Sequence, residues 1–236
     1  MSGGVAWHDL ECGGYTEDLA LWQELAADPS LPAGPILDVG AGTGRVALDL
    51  ARAGHQVVAL DVDAELLDAL VARSAGLPVT TAVADARDFA LGRRFRLILV
   101  PMQTVQLLED RHHELLACAV AHLLPGGLFA ASVANPPAYE GELRPLPDIH
   151  ERDGWVWASQ PVALRSVPAG LEIERVRELV SPAGERTVSG DVVTLARVGA
   201  DELEAHGKAA GLTPLPRRTV DETEDYAGSD VVILRG

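Results

Sequence analysis

Between residues 35 and 134 short apolar runs alternate with segments of helical period. "ILDV" (36–39) has the length and character of a short buried strand, and residues 44–53 place Val46 and Leu50 one helical turn apart before Gly54 closes the segment. "QVVALD" (56–61) predicts a second strand. Asp63 is then positioned to cap a helix whose apolar face is Leu66, Leu67, Leu70 and Val71. "VTTAVA" (79–84) and "FRLILV" (95–100) predict the third and fourth strands. A helix over 111–124 ends at "PGG" (125–127), and "LFAASVA" (128–134) is the fifth strand. Upstream, 15–27 carries Leu19, Trp22 and Leu25 at helical spacing and is stopped by "DPSLPAGP". Strands alternating with helices predict an α/β fold with a parallel sheet covered on both faces.

The pattern changes after Asn135. A proline-rich connection leads into "WVWASQPVALRS", "LEIERVRELVS" and "RTVSGDVVTLARV", which read as three antiparallel strands joined by tight turns. A helix over 200–210, stopped by Gly211, precedes two closing stretches, "TPLPRRTVDE" and "DVVILRG". The expected organisation is an N-terminal lid and helix (1–34), an α/β core (35–135), an inserted antiparallel sheet (136–198) and a C-terminal segment (199–236) that completes the core.

Composition narrows the function. A chain of 236 residues with 47% hydrophobic content fits one α/β domain with insertions. The formal net charge of -16 repels phosphate backbones and anionic lipid, and the basic stretch "GRRFR" (92–96) is too short to reverse it, so neither nucleic acid nor membrane is an expected partner. Cys118 falls in an apolar helical run and Cys12 has no second cysteine near it, which gives no disulfide framework and no zinc-site spacing. "MSGGVAWHDLE" lacks the basic start and apolar centre of a signal peptide, and no apolar run reaches membrane-span length, so the expected location is the cytoplasm.

The chemistry centres on the turn after the first strand. Gly40, Gly42 and Gly44 let the backbone turn sharply where a strand meets a helix N-terminus, and an acidic residue ends the next strand. A dinucleotide site spaces its glycines G-x-G-x-x-G; here the third glycine comes one residue early, followed by Arg45. Asp38 would repel a pyrophosphate but suits a ligand carrying an ammonium and a sulfonium, as S-adenosylmethionine (SAM) does. Asp61 is then placed to accept the ribose hydroxyls and Asp85 the adenine amino group, while "PMQTVQLL" (101–108) borders the methionine end. An NAD(P)-dependent oxidoreductase is the competing reading from another class, and the early glycine and Asp38 count against it.

D-x-G-x-G-x-G at 38–44, Asp61, "ADA" at 84–86 and "LLPGG" at 123–127 together resemble the class I SAM-dependent methyltransferases, most clearly over residues 15–135. The resemblance implies a doubly wound, Rossmann-like, mostly parallel seven-stranded sheet with a final antiparallel strand. It implies SAM as cofactor, S-adenosyl-L-homocysteine as product, and methyl transfer to a nitrogen, oxygen or carbon nucleophile of a small molecule. It also implies cofactor contacts at Asp38, Gly40, Gly42, Asp61 and Asp85; Ala41, Gly44, Val62, Ala86, Pro101, Met102 and Gln103 belong to the same stations. The inserted sheet is similar to the substrate lid of small-molecule N- and O-methyltransferases. No "NPPY" or "DPPY" follows the fourth strand, and "ANPPAY" (134–139) follows the fifth, so the role of that motif is not carried over. A SAM-binding enzyme of non-methylating chemistry is the nearer alternative.

Several residues keep two readings each. Trp7 and Tyr15 suit a lid whose aromatic face attracts a sulfonium, and Tyr15 equally suits packing of the first helix. Gln103 and Gln106 either orient substrate or solvate a loop. Trp155 and Trp157 share one face of an inserted strand and either line a pocket or pin the sheet. His112 and His113 point in different directions from a helix start, which argues for solvation rather than a shared metal, and no metal site is expected. Gln106, Asn135, Tyr139, Trp155 and Trp157 are the candidate acceptor-binding residues; His8, Tyr15 and Gln103 are the candidate catalytic groups, with His150 a further candidate base. Oligomeric state, monomer or homodimer, stays open.

Overall fold

A computed structural model describes residues 3–134, 141–142, 145–223 and 226–236 of the chain. Asn135 and Tyr139 therefore lie outside the described residues. The chain divides into two units: Met1–Tyr15 with Pro136–Arg197, and Thr16–Asn135 with Val198–Gly236.

The elements follow in chain order. Helices α1 (Gly3–Cys12) and α2 (Leu19–Ala26) precede β1 (Ile36–Val39), α3 (Arg45–Arg52), β2 (Val57–Asp61), α4 (Ala64–Arg73) and β3 (Val79–Val83). Then come β4 (Phe95–Val100), a 3-10 turn (Thr104–Leu108), α5 (His112–His122) and β5 (Leu123–Ala134). The insertion holds β6 (Gly141–Glu142), β7 (Asp148–Arg152), β8 (Trp155–Val167), β9 (Gly170–Val180) and β10 (Arg186–Ala196). Helix α6 (Ala200–Ala209), β11 (Thr213–Pro214), β12 (Arg218–Val220) and β13 (Ser229–Arg235) close the chain.

In the larger unit the sheet order is β11-β13-β5-β4-β1-β2-β3, with β12 also paired to β13. β1 pairs in parallel with β2 on one side and β4 on the other, so strand order reverses at β1 and leaves a crevice at its carboxyl end. All four β1 residues are buried, which explains why its sequence is a nearly continuous apolar run rather than an alternation. Every residue of β4 from Leu97 to Val100 is fully enclosed, and Phe95, Phe129, Leu115 and Leu203 fill the same core. Asp63 caps α4 as expected, its Oδ1 accepting the Glu65 and Leu66 N–H groups.

Some expectations are corrected. The place of a seventh strand is split between two short pieces, β11 and β12, both antiparallel to β13, giving eight strands in all among the described residues. The proline-rich "TPLPRR" explains the break, since proline cannot donate to a ladder. β5 begins at Leu123 rather than 128: Leu123 pairs with Phe95, and the register shifts before Leu97 meets Leu128. "PGG" is an irregularity inside the strand, with Gly126 at φ 78°, and not the loop that ends the helix. Of the anticipated apolar face of α4, Leu67 and Leu70 are buried whereas Val71 is exposed. The helix read at 15–27 starts only at Leu19, and α1 was not legible in advance.

In the other unit, β10, β9, β8 and β6 form an antiparallel sheet with β7 also on β8. The three long strands match those read from sequence, and α1 packs on β7 and β8. Arg177 of β9 is the organising charge. It donates to both Glu11 oxygens at 2.7 Å and to Asp191 at 2.8 Å, while its guanidinium lies 5.6 Å from the Trp7 ring centre. Glu11 also accepts from the buried Ser159 hydroxyl at 2.7 Å. Trp7 is thus fixed to the inserted sheet by its own unit.

Candidate cofactor site

The carboxyl end of β1 carries three features that belong together. Asp38 sits inside the strand with 1% of its surface exposed, and neither carboxylate oxygen has a hydrogen-bond partner among the described residues. Burial pushes its pKa up to about 7, against the pull of the Arg45 charge and the Ala47 amide, with the Asp18 and Asp61 charges adding to the rise. A buried acceptor left without a donor costs folding free energy, a cost that an incoming donor would offset. An ammonium group meets that need directly.

The turn itself is shaped by backbone demands that only glycine meets. Gly40 has φ 72°, and a Cβ there would stand 2.6 Å from the Thr104 side chain. Gly44 has φ 97° and begins α3 without a side-chain cap, and its Cβ would meet Leu70 at 2.7 Å. Most of the turn's amides are already committed. The N–H groups of Gly40 and Ala41 both go to the Leu60 carbonyl (2.8 and 3.0 Å), Gly44 donates to Ala41 (2.9 Å), and Gly42 donates to the Asp61 carboxylate (2.8 Å). A carboxylate at the Gly42 amide stands where a pyrophosphate would need to be, which disfavours the dinucleotide reading on geometry as well as on spacing.

Asp61 ends β2. Its Oδ2 takes Gly42 and its Oδ1 takes the Asp63 N–H at 2.9 Å, so each oxygen keeps a further lone pair for an outside hydroxyl. Beside it Val62 leaves 72% of its surface exposed, an apolar patch fit for a planar ring. Asp85 follows β3, half-buried, but its carboxylate is engaged by Arg87: the Nε and terminal nitrogen of Arg87 donate at 2.9 and 2.7 Å, and the Arg87 backbone N–H at 2.8 Å. These bonds, the Arg87 side chain first, pull the Asp85 pKa down to about 2. Ala86 lies in the same turn, half-buried.

The loop after β4 holds Pro101, buried, and Met102 and Gln103, half-buried. Met102 has φ 54°, a left-handed conformation uncommon for a side chain of that size. Thr104, whose hydroxyl donates to the Pro101 carbonyl at 2.9 Å, packs on Gly40 and was not anticipated. Gln106 was expected either to orient substrate or to solvate the loop. It is buried, and its amide clasps the end of β5, donating to the Ala134 carbonyl (3.2 Å) and accepting the Ala134 N–H (2.9 Å). That bidentate clasp makes it a fold residue.

Arg45 entered the sequence reading only as a departure from the dinucleotide pattern. Its guanidinium forks onto Asp18 of the α2 start, at 2.5 and 2.8 Å, and Asp18 also takes the Trp22 indole N–H at 2.7 Å. The pair is nearly enclosed and ties α2 to the first turn of α3 behind the glycines. The arginine gave a signal, since a charge at the start of a buried helix needs a partner, but the partner lies 27 residues away.

Residues 36–127 match the methyltransferase domain family. Residues 36–127 thus carry a methyltransferase domain. A curated relative, the ubiquinone biosynthesis O-methyltransferase of Nitrobacter winogradskyi, is 33% identical over 171 residues, 66% of this chain and 64% of that protein. The cypemycin N-terminal methyltransferase of a Streptomyces species is 29% identical over 130 residues, 53% of each chain. The matches thus span about half to just under two thirds of these relatives' lengths. Among solved structures, SAM-bound CalS10, an amino pentose methyltransferase from Micromonospora echinaspora, superposes with a TM-score of 0.75 at 22% identity, covering 100% of this chain and 98% of that one. At that identity the likeness is one of fold, and it extends across the insertion.

The remaining described residues singled out in the sequence fall in the other unit. Tyr15 is buried and His8 half-buried. Trp155 and Trp157 do share a face of β8, their rings 6.2 Å apart, and His150 on β7 lies 6.2 Å from the Trp157 ring. Among the described residues no helix is long and apolar enough to cross a membrane.

Proposed function

We propose that the protein transfers the methyl group of SAM to an amine nitrogen of a small molecule. The observation that carries the cofactor assignment is the partnerless, buried Asp38 carboxylate beside the glycine turn. Asp38 would receive the cofactor's ammonium, the backbone from Gly40 to Gly42 would approach its carboxylate-bearing chain, and the free lone pairs of Asp61 would take the ribose hydroxyls. Val62 and Ala86 would flank the adenine, with Asp85 accepting from its amino group once Arg87 yields. When bound, the sulfonium supplies an electrophilic methyl carbon open to in-line attack.

The chain's own contribution is placement and exclusion of water. Thr104, resting on Gly40, and the left-handed Met102 fix the loop in which Gln103 sits, and Gln103 is the candidate to orient the acceptor. Within the unit that holds the insertion, Trp155 and Trp157 offer an aromatic surface, and His8 and His150 are groups able to take a proton. The nitrogen acceptor is favoured because two of the three related proteins, by their names, act on an N-terminus or an amino sugar; an oxygen acceptor is the second reading, carried by the O-methyltransferase relative.

Incubation with SAM bearing a labelled methyl group and a panel of amino sugars, short peptides and phenols tests this. Label in an amine product, with S-adenosylhomocysteine released in equal amount, is the expected result. Cofactor consumed to any other product, or label only on oxygen, overturns the assignment.

A further inference from the structure

Helices α5 and α6 of the larger unit bring together three side chains that the sequence separates by about ninety residues. His112 Nε2 lies 2.8 Å from His206 Nδ1 and 3.8 Å from the nearer Glu202 carboxylate oxygen, and all three ligand atoms fall within 4.8 Å of one another. Glu202 and His206 stand one turn apart on α6, and His112 is the first residue of α5. His112 was expected to be a solvated helix start; it is 97% enclosed. Glu202, by contrast, is exposed and His206 is not buried, so the point the three atoms share is open to solvent.

Two neutral imidazoles can share a single hydrogen bond, which uses one lone pair and leaves the carboxylate idle. A tetrahedral ion with bonds of about 2.0–2.1 Å holds its ligand atoms roughly 3.3 Å apart. The two nitrogens need to open by about half an ångström, and the carboxylate to close on His112 by about as much and on His206 from no more than 4.8 Å, for all three to share one centre. The exposed Glu202 side chain and the ring of His206 supply that movement while the enclosed His112 stays fixed.

We propose that His112, Glu202 and His206 form a binding site for a divalent transition ion of the zinc type, which fastens α6 to the start of α5. Two imidazoles and one carboxylate are a borderline donor set that prefers zinc over magnesium or calcium. Solvent fills the fourth position. None of the three ligands belongs to the glycine turn, and the proposal does not rest on the methyl-transfer reading.

The test uses the full, untagged chain stripped with chelator. Zinc chloride is titrated by calorimetry, and cobalt chloride serves as a spectroscopic reporter. The expected result is one saturable site, a rise in melting temperature with zinc, and a cobalt spectrum with ligand-field bands but no thiolate charge-transfer band, since neither cysteine takes part. His206→Gln and Glu202→Gln, with folding checked by circular dichroism, should each weaken zinc binding by more than about tenfold, at least the loss typical for groups that merely support a ligand. His113→Gln, next to the site but outside it, should leave affinity unchanged. Zinc binding indifferent to the first two variants, or no saturable binding at sub-millimolar zinc, would show that this is a hydrogen-bonded histidine pair and nothing more.

Discussion

Asp61 holds Gly42: one carboxylate oxygen takes the glycine N–H at 2.8 Å, and the other takes the Asp63 N–H at 2.9 Å. A single side chain therefore shapes the glycine turn and the start of the next helix while offering its remaining lone pairs outward. Asp61→Ala should remove both the brace and the ribose acceptor. Charge-assisted hydrogen bonds of this kind are worth about 1.5–3 kcal/mol each, so SAM affinity should fall by well over tenfold. Calorimetry reads this directly, and unchanged affinity would remove Asp61 from the site.

Asp38 ties affinity to pH. With a folded-state pKa raised to about 7, it binds its proton more tightly in the folded chain than in the unfolded one. Stability therefore declines as pH rises from the ordinary carboxylate range through 7, and Asp38→Asn should stabilise the cofactor-free protein at pH 8 by up to a few kcal/mol, with little effect at pH 4. The same variant should bind SAM poorly. In the native protein, cofactor affinity should drop below pH 7, because a protonated Asp38 no longer attracts an ammonium. Thermal melts and titrations across pH 5–8 would expose a flat profile if the assignment is mistaken.

Gly40 touches Thr104. Gly40→Ala brings its Cβ to 2.6 Å from that side chain at φ 72°, a conformation that costs an L-residue about 1–2 kcal/mol before any clash. Denaturant unfolding should show at least that loss. Adding Thr104→Ala should recover the steric part and leave the conformational part, a split that a double-mutant cycle measures.

Gln106 should behave as a fold residue. Gln106→Leu keeps the volume but leaves the Ala134 N–H and carbonyl without their partner, which should cost about 1–3 kcal/mol for each unsatisfied group. The expected signature is a lowered melting temperature with KM for the acceptor little changed. A large rise in acceptor KM at unchanged stability would return Gln106 to the substrate.

The alternation of strands and helices, the cap at Asp63 and the glycine turn were all legible in the sequence, because each is set by residues within a few positions of one another. Asp38 was legible as an oddity, a carboxylate in an apolar strand. That it is enclosed so fully beside the Arg45 charge is a matter of what surrounds it. The same holds for Asp85, whose carboxylate faces Arg87, and for Arg45, whose counter-charge comes from the start of α2.

Periodicity determined which segments could pair and which face each would bury. Only the tertiary structure decided that Gln106 clasps Ala134, that the last sheet position is shared by two short strands, and that His112 meets His206 across ninety-four residues of chain. Local pattern fixes backbone geometry through hydrogen bonds and burial of a few neighbours. A buried polar side chain is satisfied by whatever donor or acceptor the folded chain carries past it, and that is not written near it in the sequence.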